Sequence, residues 1–452
     1  MDRPSGQGRV DASGRATASA TGAGRRLVSR SRTIGDVSFG NALEHAQGTR
    51  LQWATADGLE LVGWGETARL SASGSDRFDE IRAQATTAFD GVDHDGPAVA
   101  RPRAFGGFAF HDGHEPRDPW MGFAAATFVV PSVVLARTDE GTWLTAVDTS
   151  DDDATTALES WYDRLSDGPA MRSSGTGPGI DDTRRTTTRE QWTAGVETAL
   201  ERIADGVLEK VVLAQALDVD LEGPLDVPAC LERLRRRYPN CYRFLFQDGE
   251  SGTFFGAPPE RLVGKSGTDV RTEALAGSAP RGDTREADEE LANRLLDSEK
   301  IRREHGIVVD TIRNQLEALA ADIRVDERRV KRLATIQHCW TPIEATLEGG
   351  HHVLDVVEAL HPTPAVGGIP PGAAWETIRD VETFDRGWYA APIGWFDAVG
   401  DGEFAVGIRS GVAREDAVTL FAGNGIVADS DPDDEWDEVV LKYRPILDEL
   451  RE

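Results

Sequence analysis

The stretch FAGNGIVADSDPDDEWDEVVLK (residues 421–442) reads as a glycine-containing strand, a turn and the start of a helix. Gly423 and Gly425 flank an asparagine, and glycine lets a backbone approach a ligand closely or take positive φ. Asp431 stands where a helix N-cap belongs, and Pro432 follows in the first turn. The stretch predicts a helix that begins at about residue 432, beside a strand suited to ligand contact.

The same helix carries charged side chains on one face. Glu435, Glu438 and Lys442 are three and four residues apart, a spacing that places them on the same side of a helix. In an acidic chain such a face is usually solvated, so the segment alone predicts no chemistry. The segment can be interpreted only together with motifs elsewhere in the chain.

The composition excludes several classes of partner. The 452 residues carry a formal net charge of -29, with 78 acidic and 49 basic side chains, and this charge would repel nucleic acid and anionic membranes. No apolar run is long enough to cross a bilayer, and the N-terminus lacks the apolar segment of a secretory signal. The three cysteines lie far apart, without disulfide or metal-site spacing. We predict a cytoplasmic protein.

Lysine is scarce among the basic residues. Only five occur in the sequence, and the other basic residues are arginine, as in proteins adapted to high salt or encoded by GC-rich genes. Arginine stays protonated, whereas a desolvated lysine can lose its proton and act as a base. The lysines are therefore candidates for work that arginine cannot do: Lys210, Lys265, Lys300, Lys331 and Lys442.

The chain divides into a tail and one foldable region. Residues 1–24 contain almost no large apolar side chain, which predicts a disordered tail, with a transit peptide as the alternative. A polar break at 165–188 separates an N-terminal half, 25–188, from a half at 189–452. We predict a single domain over 25–452, with the break as a surface excursion.

Helices and strands are predicted in mixed order. Because they do not alternate strictly, as they would in a parallel βαβ array, the prediction is an α+β fold. Short β-type runs occupy 51–74, and a longer strand is predicted at 210–221. Apolar periodicity predicts helices at 78–89, 190–204, 227–237, 286–321, 353–360 and 372–379.

Nine motifs carry a resemblance to a known family. They are EKVVLAQ (209–215), PPERL (258–262), TEALAGSAPRG (272–282), SEKIRREH (298–305), QHCWTPI (337–343), LHPTPAVGG (360–368), DRGWYAAPIGW (385–395), GEFAVGIRS (402–410) and the stretch at 421–442. In these motifs the sequence resembles the chorismate-utilising enzymes, specifically the isochorismate synthases. The resemblance is dense from about residue 190 and thinner before it. It implies antiparallel β-sheet layers with helices packed outside.

The resemblance also implies a reaction. Chorismate is isomerised when water adds at C2 and hydroxide leaves from C4, which requires a base for the water and an acid for the leaving group. It implies Lys210 as the base and Glu260 as the acid. Lys210 lies in an apolar strand, where burial would lower its pKa. The alternative for Glu260 is a turn carboxylate paired with Arg261.

Three glutamates are implied as metal ligands. The resemblance assigns Mg²⁺ to Glu304 and Glu438, with Glu435 contributing through water, and oxygen-only coordination suits this hard ion. The cation would bridge the glutamates to a substrate that carries two carboxylates. Substrate binding is assigned to eight further residues, with arginine as a bidentate carboxylate ligand and His338 open to the alternative of a core histidine: Gly277, Ser278, His338, Tyr389, Arg409, Gly423, Gly425 and Lys442.

Some positions depart from the family pattern, and some alternatives stay open. The family usually has Arg, Ser, Thr and Gly where this chain has Gln215, Pro258, Ser278 and Ala391. Anthranilate synthases carry Gln in place of Lys210, and aminodeoxychorismate synthases carry Lys in the EALAGS segment. Salicylate synthase and a catalytically inactive subunit remain the alternatives. We predict a monomer or weak homodimer that serves menaquinone or siderophore biosynthesis.

Overall fold

The computed structural model describes residues 26–168, 174–249, 251–334 and 336–451, without the side chain of Lys300. The predicted tail at 1–24 lies outside these residues. Ten α-helices occur in the described part: α1 (Phe39–His45), α2 (Arg77–Phe89), α3 (Asp151–Ser166), α4 (Arg189–Ala204), α5 (Val227–Arg237), α6 (Arg285–Asp297), α7 (Glu299–Leu316), α8 (Val353–Leu360), α9 (Pro371–Val381) and α10 (Pro432–Leu450).

The described residues also form 23 β-strands. In the N-terminal half these are β1 (Val28–Ile34), β2 (Arg50–Ala54), β3 (Glu60–Trp64), β4 (Ala68–Ala72), β5 (Asp93–Asp95), β6 (Arg103–Phe108), β7 (Ala126–Val130), β8 (Val133–Thr138), β9 (Gly141–Asp148) and β10 (Ile180–Arg185). In the C-terminal half they are β11 (Lys210–Leu221), β12 (Arg243–Gln247), β13 (Thr253–Gly256), β14 (Arg261–Ser266), β15 (Asp269–Pro280), β16 (Ala320–Val325), β17 (Arg329–Arg332), β18 (Ile336–Leu347), β19 (Gly368–Ile369), β20 (Pro392–Asp397), β21 (Gly402–Val406), β22 (Ser410–Arg414) and β23 (Ala417–Ile426).

The strands form two sheets, and each contains strands from both halves of the chain. The 13-stranded sheet runs β10-β11-β23-β22-β13-β12-β2-β3-β8-β9-β1-β5, with β19 beside β11. The 10-stranded sheet runs β16-β18-β15-β14-β21-β20-β6-β7-β4, with β17 beside β18. Among the described strands, every pairing except β1 with β5 is antiparallel. The predicted α+β class with antiparallel layers is confirmed.

The core contains side chains from both sheets. One continuous apolar cluster includes Trp53 on β2 and Phe404 on β21, which belong to different sheets. A smaller cluster packs α1 and α3 against strands of the first sheet, through side chains such as Leu43 and Leu158. No helix in the described ranges is long and apolar enough to span a membrane.

Several predicted elements are confirmed with their boundaries. Strand β11 covers 210–221, α5 covers 227–237, and α8 covers 353–360. Helix α10 begins at Pro432, and the side chain of Asp431 accepts hydrogen bonds from the backbone N–H groups of Asp433 and Asp434. This is the predicted N-cap.

The prediction of one helix over 286–321 is wrong. The segment forms α6 and α7, and Ser298 ends the first and caps the second by accepting from the N–H of Ile301. Because both helices pack on β15, their apolar positions look continuous in the sequence. The last predicted residues belong to β16. The polar break at 165–188 contains β10, which is the end strand of the first sheet and pairs with the C-terminal part of β11.

Candidate active site

A cavity of about 150 Å³ is lined by strands of both sheets, by α10 and by the loops around Pro259 and Tyr389. The C-terminal part of β23 and the start of β11 line it from the first sheet, and β15 and β18 line it from the second. All ten residues predicted for catalysis and substrate binding line this cavity: Lys210, Glu260, Gly277, Ser278, His338, Tyr389, Arg409, Gly423, Gly425 and Lys442. Their sequence separations are large, so the fold brings them together.

Lys210 is the first residue of β11, and its side chain packs across the backbone of β23. A Cβ atom added to Gly425 would lie 2.8 Å from Cε of Lys210, so the glycine leaves room for the lysine. Burial lowers the pKa of Lys210, and the charge of Lys442 lowers it further, against the raising effects of Glu304 and Glu260. Lys210 therefore loses its proton more readily than a lysine on the surface does.

Glu260 lies in the turn before β14 and is buried against the cavity. Burial raises its pKa to about 8, and the neighbouring carboxylate of Glu273 adds to the increase. The guanidinium of Arg261 is bound elsewhere, because its Nε donates to Tyr242 Oη at 2.7 Å and to Glu403 at 3.2 Å. The alternative interpretation of Glu260 as a partner of Arg261 is not supported by these contacts.

Arg409 and Tyr389 lie on another wall of the cavity. Arg409 has a φ of 50°, a left-handed conformation that is uncommon for a residue with a side chain and is often found at functional sites. Its Nη1 donates to the carbonyl of Lys442 at 3.1 Å, and its other donors leave capacity for an anion. The Tyr389 hydroxyl lies against Gly423, where an added Cβ would be 3.1 Å away.

His338 and Ser278 form a hydrogen-bonded pair across β15 and β18. Ser278 Oγ lies 3.1 Å from His338 Nδ1, while Nε2 of this buried histidine has no partner in the described protein. Burial lowers the pKa of His338 to about 3, so the ring is neutral near pH 7. Gly277 has a φ of 79° at a bulge in β15, and an added Cβ would lie 2.5 Å from Cγ2 of Ile301. The bulge requires glycine.

The predicted face of α10 is present. Lys442 Nζ lies 3.0 Å from Glu438 and donates to the carbonyl of Gly423 at 3.0 Å and to Asn424 Oδ1 at 2.6 Å. These contacts engage its three protons, so Lys442 positions neighbouring groups as well as lining the cavity. Burial raises the pKa of Glu438, but the charge and hydrogen bond of Lys442, a hydrogen bond from Asn424 and the charge of Arg409 together outweigh it, and the net pKa is lowered.

The carboxylates only partly resemble a metal site. Glu304 and Glu438 both act electrostatically on Lys210, and Glu435 accepts a hydrogen bond from the Asn424 amide. Within the described ranges, however, no three His, Cys, Asp or Glu side chains are grouped closely enough to hold a metal ion. The donor chemistry suits a hard cation with oxygen ligands, and further ligands would have to come from water or substrate.

Comparison with known proteins identifies the family. Residues 15–451 match the family described as chorismate binding enzyme. The chain belongs to the chorismate binding enzymes. Its relatives include isochorismate synthase MenF of Bacillus subtilis, 33% identical over 94% of this chain and 93% of the relative. Another is the salicylate biosynthesis isochorismate synthase of Pseudomonas aeruginosa, 36% identical over 88% of this chain and 84% of the relative.

A solved structure has the same fold as this chain. MenF, the menaquinone-specific isochorismate synthase from Escherichia coli, superposes with a TM-score of 0.80 at 26% sequence identity. The match covers 94% of this chain and 95% of that one. The similarity therefore extends across both halves and both sheets of this chorismate binding enzyme.

Two contacts, one at the cavity wall and one on the first sheet, involve side chains without a predicted role. Asn424 connects Lys442 to Glu435, and its position between two glycines was the available indication. Arg185 on β10 donates to Gln215 at 3.2 Å, so a guanidinium lies beside the position where this family usually has arginine. No pattern in the sequence indicated this contact between strands.

Proposed function

We propose that this protein is an isochorismate synthase, which converts chorismate to isochorismate. One observation carries the proposal: Lys210 and Glu260 line one cavity, and burial moves both towards their neutral forms. A neutral amine can accept a proton and a protonated carboxyl can donate one, which are the two functions that the isomerisation requires. The names of the relatives support the same reaction.

In this proposal the two side chains act on different carbons of the ring. Lys210 takes a proton from a water molecule, and the resulting oxygen nucleophile bonds to C2. The ring double bonds shift, the C4–O bond breaks, and Glu260 gives its proton to the departing hydroxyl, which leaves as water. Afterwards Lys210 carries the additional proton and Glu260 is ionised, and exchange with solvent restores both. Composition is unchanged, and the reaction is reversible.

The remaining cavity residues would bind the substrate. Arg409 and Tyr389 are proposed to hold the enolpyruvyl carboxylate, the guanidinium as a charged fork and the phenol as a hydrogen-bond donor. The unpartnered Nε2 of His338 can hydrogen bond to a ring substituent. The backbone at Gly277 and Gly423 allows close approach.

We also propose that Mg²⁺ binds Glu304 and Glu438, with Glu435 contributing through water. The ion would neutralise the repulsion between these glutamates and the ring carboxylate of the substrate.

Glu304→Ala and Glu438→Ala should each abolish turnover and weaken Mg²⁺ binding in calorimetry, with the unfolding transition preserved. Full turnover of both variants in the presence of a chelator would contradict the metal assignment.

The decisive experiment separates the products of purified protein, chorismate and Mg²⁺ by chromatography. We expect isochorismate in equilibrium with chorismate. Salicylate with pyruvate would instead identify a salicylate synthase, the second candidate, in which the same base and acid begin a reaction that then eliminates pyruvate. No product, even in molar KCl, would favour an inactive subunit. An aminated product formed only with ammonia would contradict the role of Lys210 as a base for water.

The proposal also covers the compartment, the pathway and the oligomeric state of the protein. We place the reaction in the cytoplasm, which is consistent with three free, buried cysteines. Menaquinone and siderophore biosynthesis both fit the product. The protein would act as a monomer or weak homodimer, without nucleic acid or membrane partners.

A further inference from the structure

Glu260 lies between two backbone groups that are held by the same ion pair. On its N-terminal side, the carbonyl of Pro259 accepts a hydrogen bond from Lys331 Nζ at 2.8 Å. On its C-terminal side, the N–H of Arg261 donates to Glu273 Oε1 at 2.9 Å. Lys331 and Glu273 bind each other at 2.8 Å. The pair therefore fixes the peptide groups on both sides of Glu260.

The ion pair lies on strands next to Glu260. Glu273 belongs to β15, which pairs with β14, and Lys331 belongs to β17, which pairs with β18. Glu273 is buried, and its second oxygen accepts from Trp340 Nε1 at 2.5 Å and from Lys331 at 3.1 Å. A buried carboxylate with this many partners has little freedom to move, so it is a rigid support.

We propose that Lys331 and Glu273 are positioning residues for the general acid: the pair fixes the backbone on both sides of Glu260, and Glu273 places a carboxylate near it. The inference rests on the proposed function, because it takes Glu260 to be the acid. Neither Lys331 nor Glu273 lines the cavity, so both would act through Glu260.

The electrostatic part follows from the charges that face Glu260. Burial is the main cause of its raised pKa, and the carboxylate of Glu273 raises it further. Lys331 and Lys210 lower it. Glu273 is therefore the neighbouring side chain that opposes ionisation of Glu260, and its partner Lys331 acts in the opposite direction.

The contacts of Lys331 also explain why residue 331 is a lysine and not an arginine. Nζ has three protons, and it makes three contacts: with the Pro259 carbonyl and with both oxygens of Glu273. A planar guanidinium is larger and directs its donors along a fixed fork, so it cannot reproduce these contacts from the same backbone position. Lys331 is one of only five lysines in an arginine-rich chain.

Two substitutions test separately the backbone anchor made by Lys331 and the negative charge of Glu273. In Lys331→Arg the charge remains but the anchor is disturbed, so we expect kcat to fall about ten- to hundredfold with little change in KM. In Glu273→Gln the charge is lost, so we expect the alkaline pKa of kcat/KM to fall by about one unit or more. An unchanged kcat in the first variant or an unchanged pH profile in the second would overturn that part of the proposal.

A second ion pair in the same sheet supplies matched controls. Lys265 Nζ donates to Asp401 at 2.8 Å, Lys265 is buried, and neither residue lines the cavity. Lys265→Arg and Asp401→Asn should retain the kcat and the pH profile of the unmodified protein. Equal effects in the control pair would show a general loss of structure and would overturn the positioning role.

A measurement that needs no turnover distinguishes this inference from the proposed function. The infrared band of the protonated Glu260 carboxyl, assigned by its loss in Glu260→Gln, should titrate near pH 8 in the unmodified protein. It should titrate at lower pH in Glu273→Gln. If chorismate is not converted but the band shifts, the proposed function fails and the ion-pair effect stands. If the band does not shift, the inference fails whatever the reaction.

Discussion

At the scale of single residues, burial shifts the pKa values of Lys210 and Glu260 in opposite directions, and each shift favours the neutral form. In water near pH 7 a lysine is charged and a glutamate is ionised. Inside this cavity the pKa of Lys210 is lowered and that of Glu260 is raised to about 8. Both shifts favour the neutral form, and a neutral lysine with a protonated glutamate is a base beside an acid.

The first prediction concerns the proton on Lys210. We expect Lys210→Arg to lose about 10²–10⁴ in kcat, nearly as much as Lys210→Ala, because arginine keeps the charge but cannot act as a base. Chromatographic rates of isochorismate formation test this, with Lys265→Arg as the control. Near-native turnover of the arginine variant would show that the residue supplies only charge.

The second prediction concerns the stability cost of Glu260. Its pKa is higher in the folded protein than the usual 4.5, so its contribution to stability is complete below pH 4.5 and is lost as the pH rises towards 8. Glu260→Gln removes this loss, so the variant should be inactive, and its stability relative to the unmodified protein should rise by roughly 4 kcal/mol between pH 4.5 and pH 8. Urea unfolding at both pH values measures the difference.

The exposed residue Glu201 on α4 provides the control for this prediction. Glu201→Gln should change stability equally little at both pH values. A Glu260→Gln variant whose stability difference from the unmodified protein does not change with pH would contradict the raised pKa. The same pKa predicts that kcat/KM declines above about pH 8, where Glu260 loses its proton.

At the scale of elements, the pairing of β11 with β23 places the base. Val212 is opposite Gly425 in this pairing, and Lys210 lies on the same face of β11 as Val212. On the adjacent side, Arg386 donates to the Val212 carbonyl at 2.7 Å, and Glu382 accepts from the Ala214 N–H at 2.8 Å. Arg386 and Glu382 also form a buried ion pair with each other. The pair attaches β11 to the segment after α9, so the strand that carries Lys210 is held on both sides.

The third prediction uses the glycine beside Lys210. In Gly425→Ala the new methyl group would lie 2.8 Å from Cε of Lys210, so the flexible end of the lysine must move. We expect a loss of about 10²-fold in kcat with less than about 1 kcal/mol of lost stability, because a displacement near 1 Å is costly for catalysis. Kinetics and urea unfolding of the same sample measure both effects.

Gly264 on β14 is the matched control, because a Cβ there would meet its nearest atoms at an ordinary 3.8 Å. Gly264→Ala should leave kcat unchanged. If Gly425→Ala were as active as Gly264→Ala, the position of Lys210 would not depend on the glycine. A large loss of stability would instead show that β23 itself is distorted.

At the scale of the whole molecule, the two halves of the chain are joined through both sheets. Strand β2 pairs with β12 in the first sheet, and β6 pairs with β20 in the second. Each pairing joins a strand from before the polar break to a strand from after it. A half separated from the other would expose unpaired strand edges and part of the shared core.

The fourth prediction follows from these pairings. A specific protease site inserted after Gly168, between α3 and β10, should allow cleavage without separation of the halves. We expect the two fragments to elute together in gel filtration and to unfold in one transition, as for a single domain. Two fragments that separate and remain folded would contradict the prediction of a single domain over 25–452.

Local sequence patterns determined much of this protein. The apolar run of β11, the Asp431-Pro432 start of α10 and the spacing of Glu438 and Lys442 depend on neighbours within a few residues, and each is present as predicted. The same locality explains the error at Ser298. Apolar periodicity continues across it because α6 and α7 pack on one strand, although a capping serine interrupts the helix.

Only the tertiary structure determined the hydrogen bonds, the burial and the pKa shifts of the residues at the site. The support of Glu260 by Glu273 and Lys331, the contact of Arg185 with Gln215 and the need for glycine at 425 all join positions distant in sequence. Hydrogen bonds, burial and pKa shifts depend on distances in space, and periodicity along a chain contains no such distances. The sequence could therefore name Lys210 and Glu260, but only the folded sheets lower the pKa of the lysine and raise that of the glutamate.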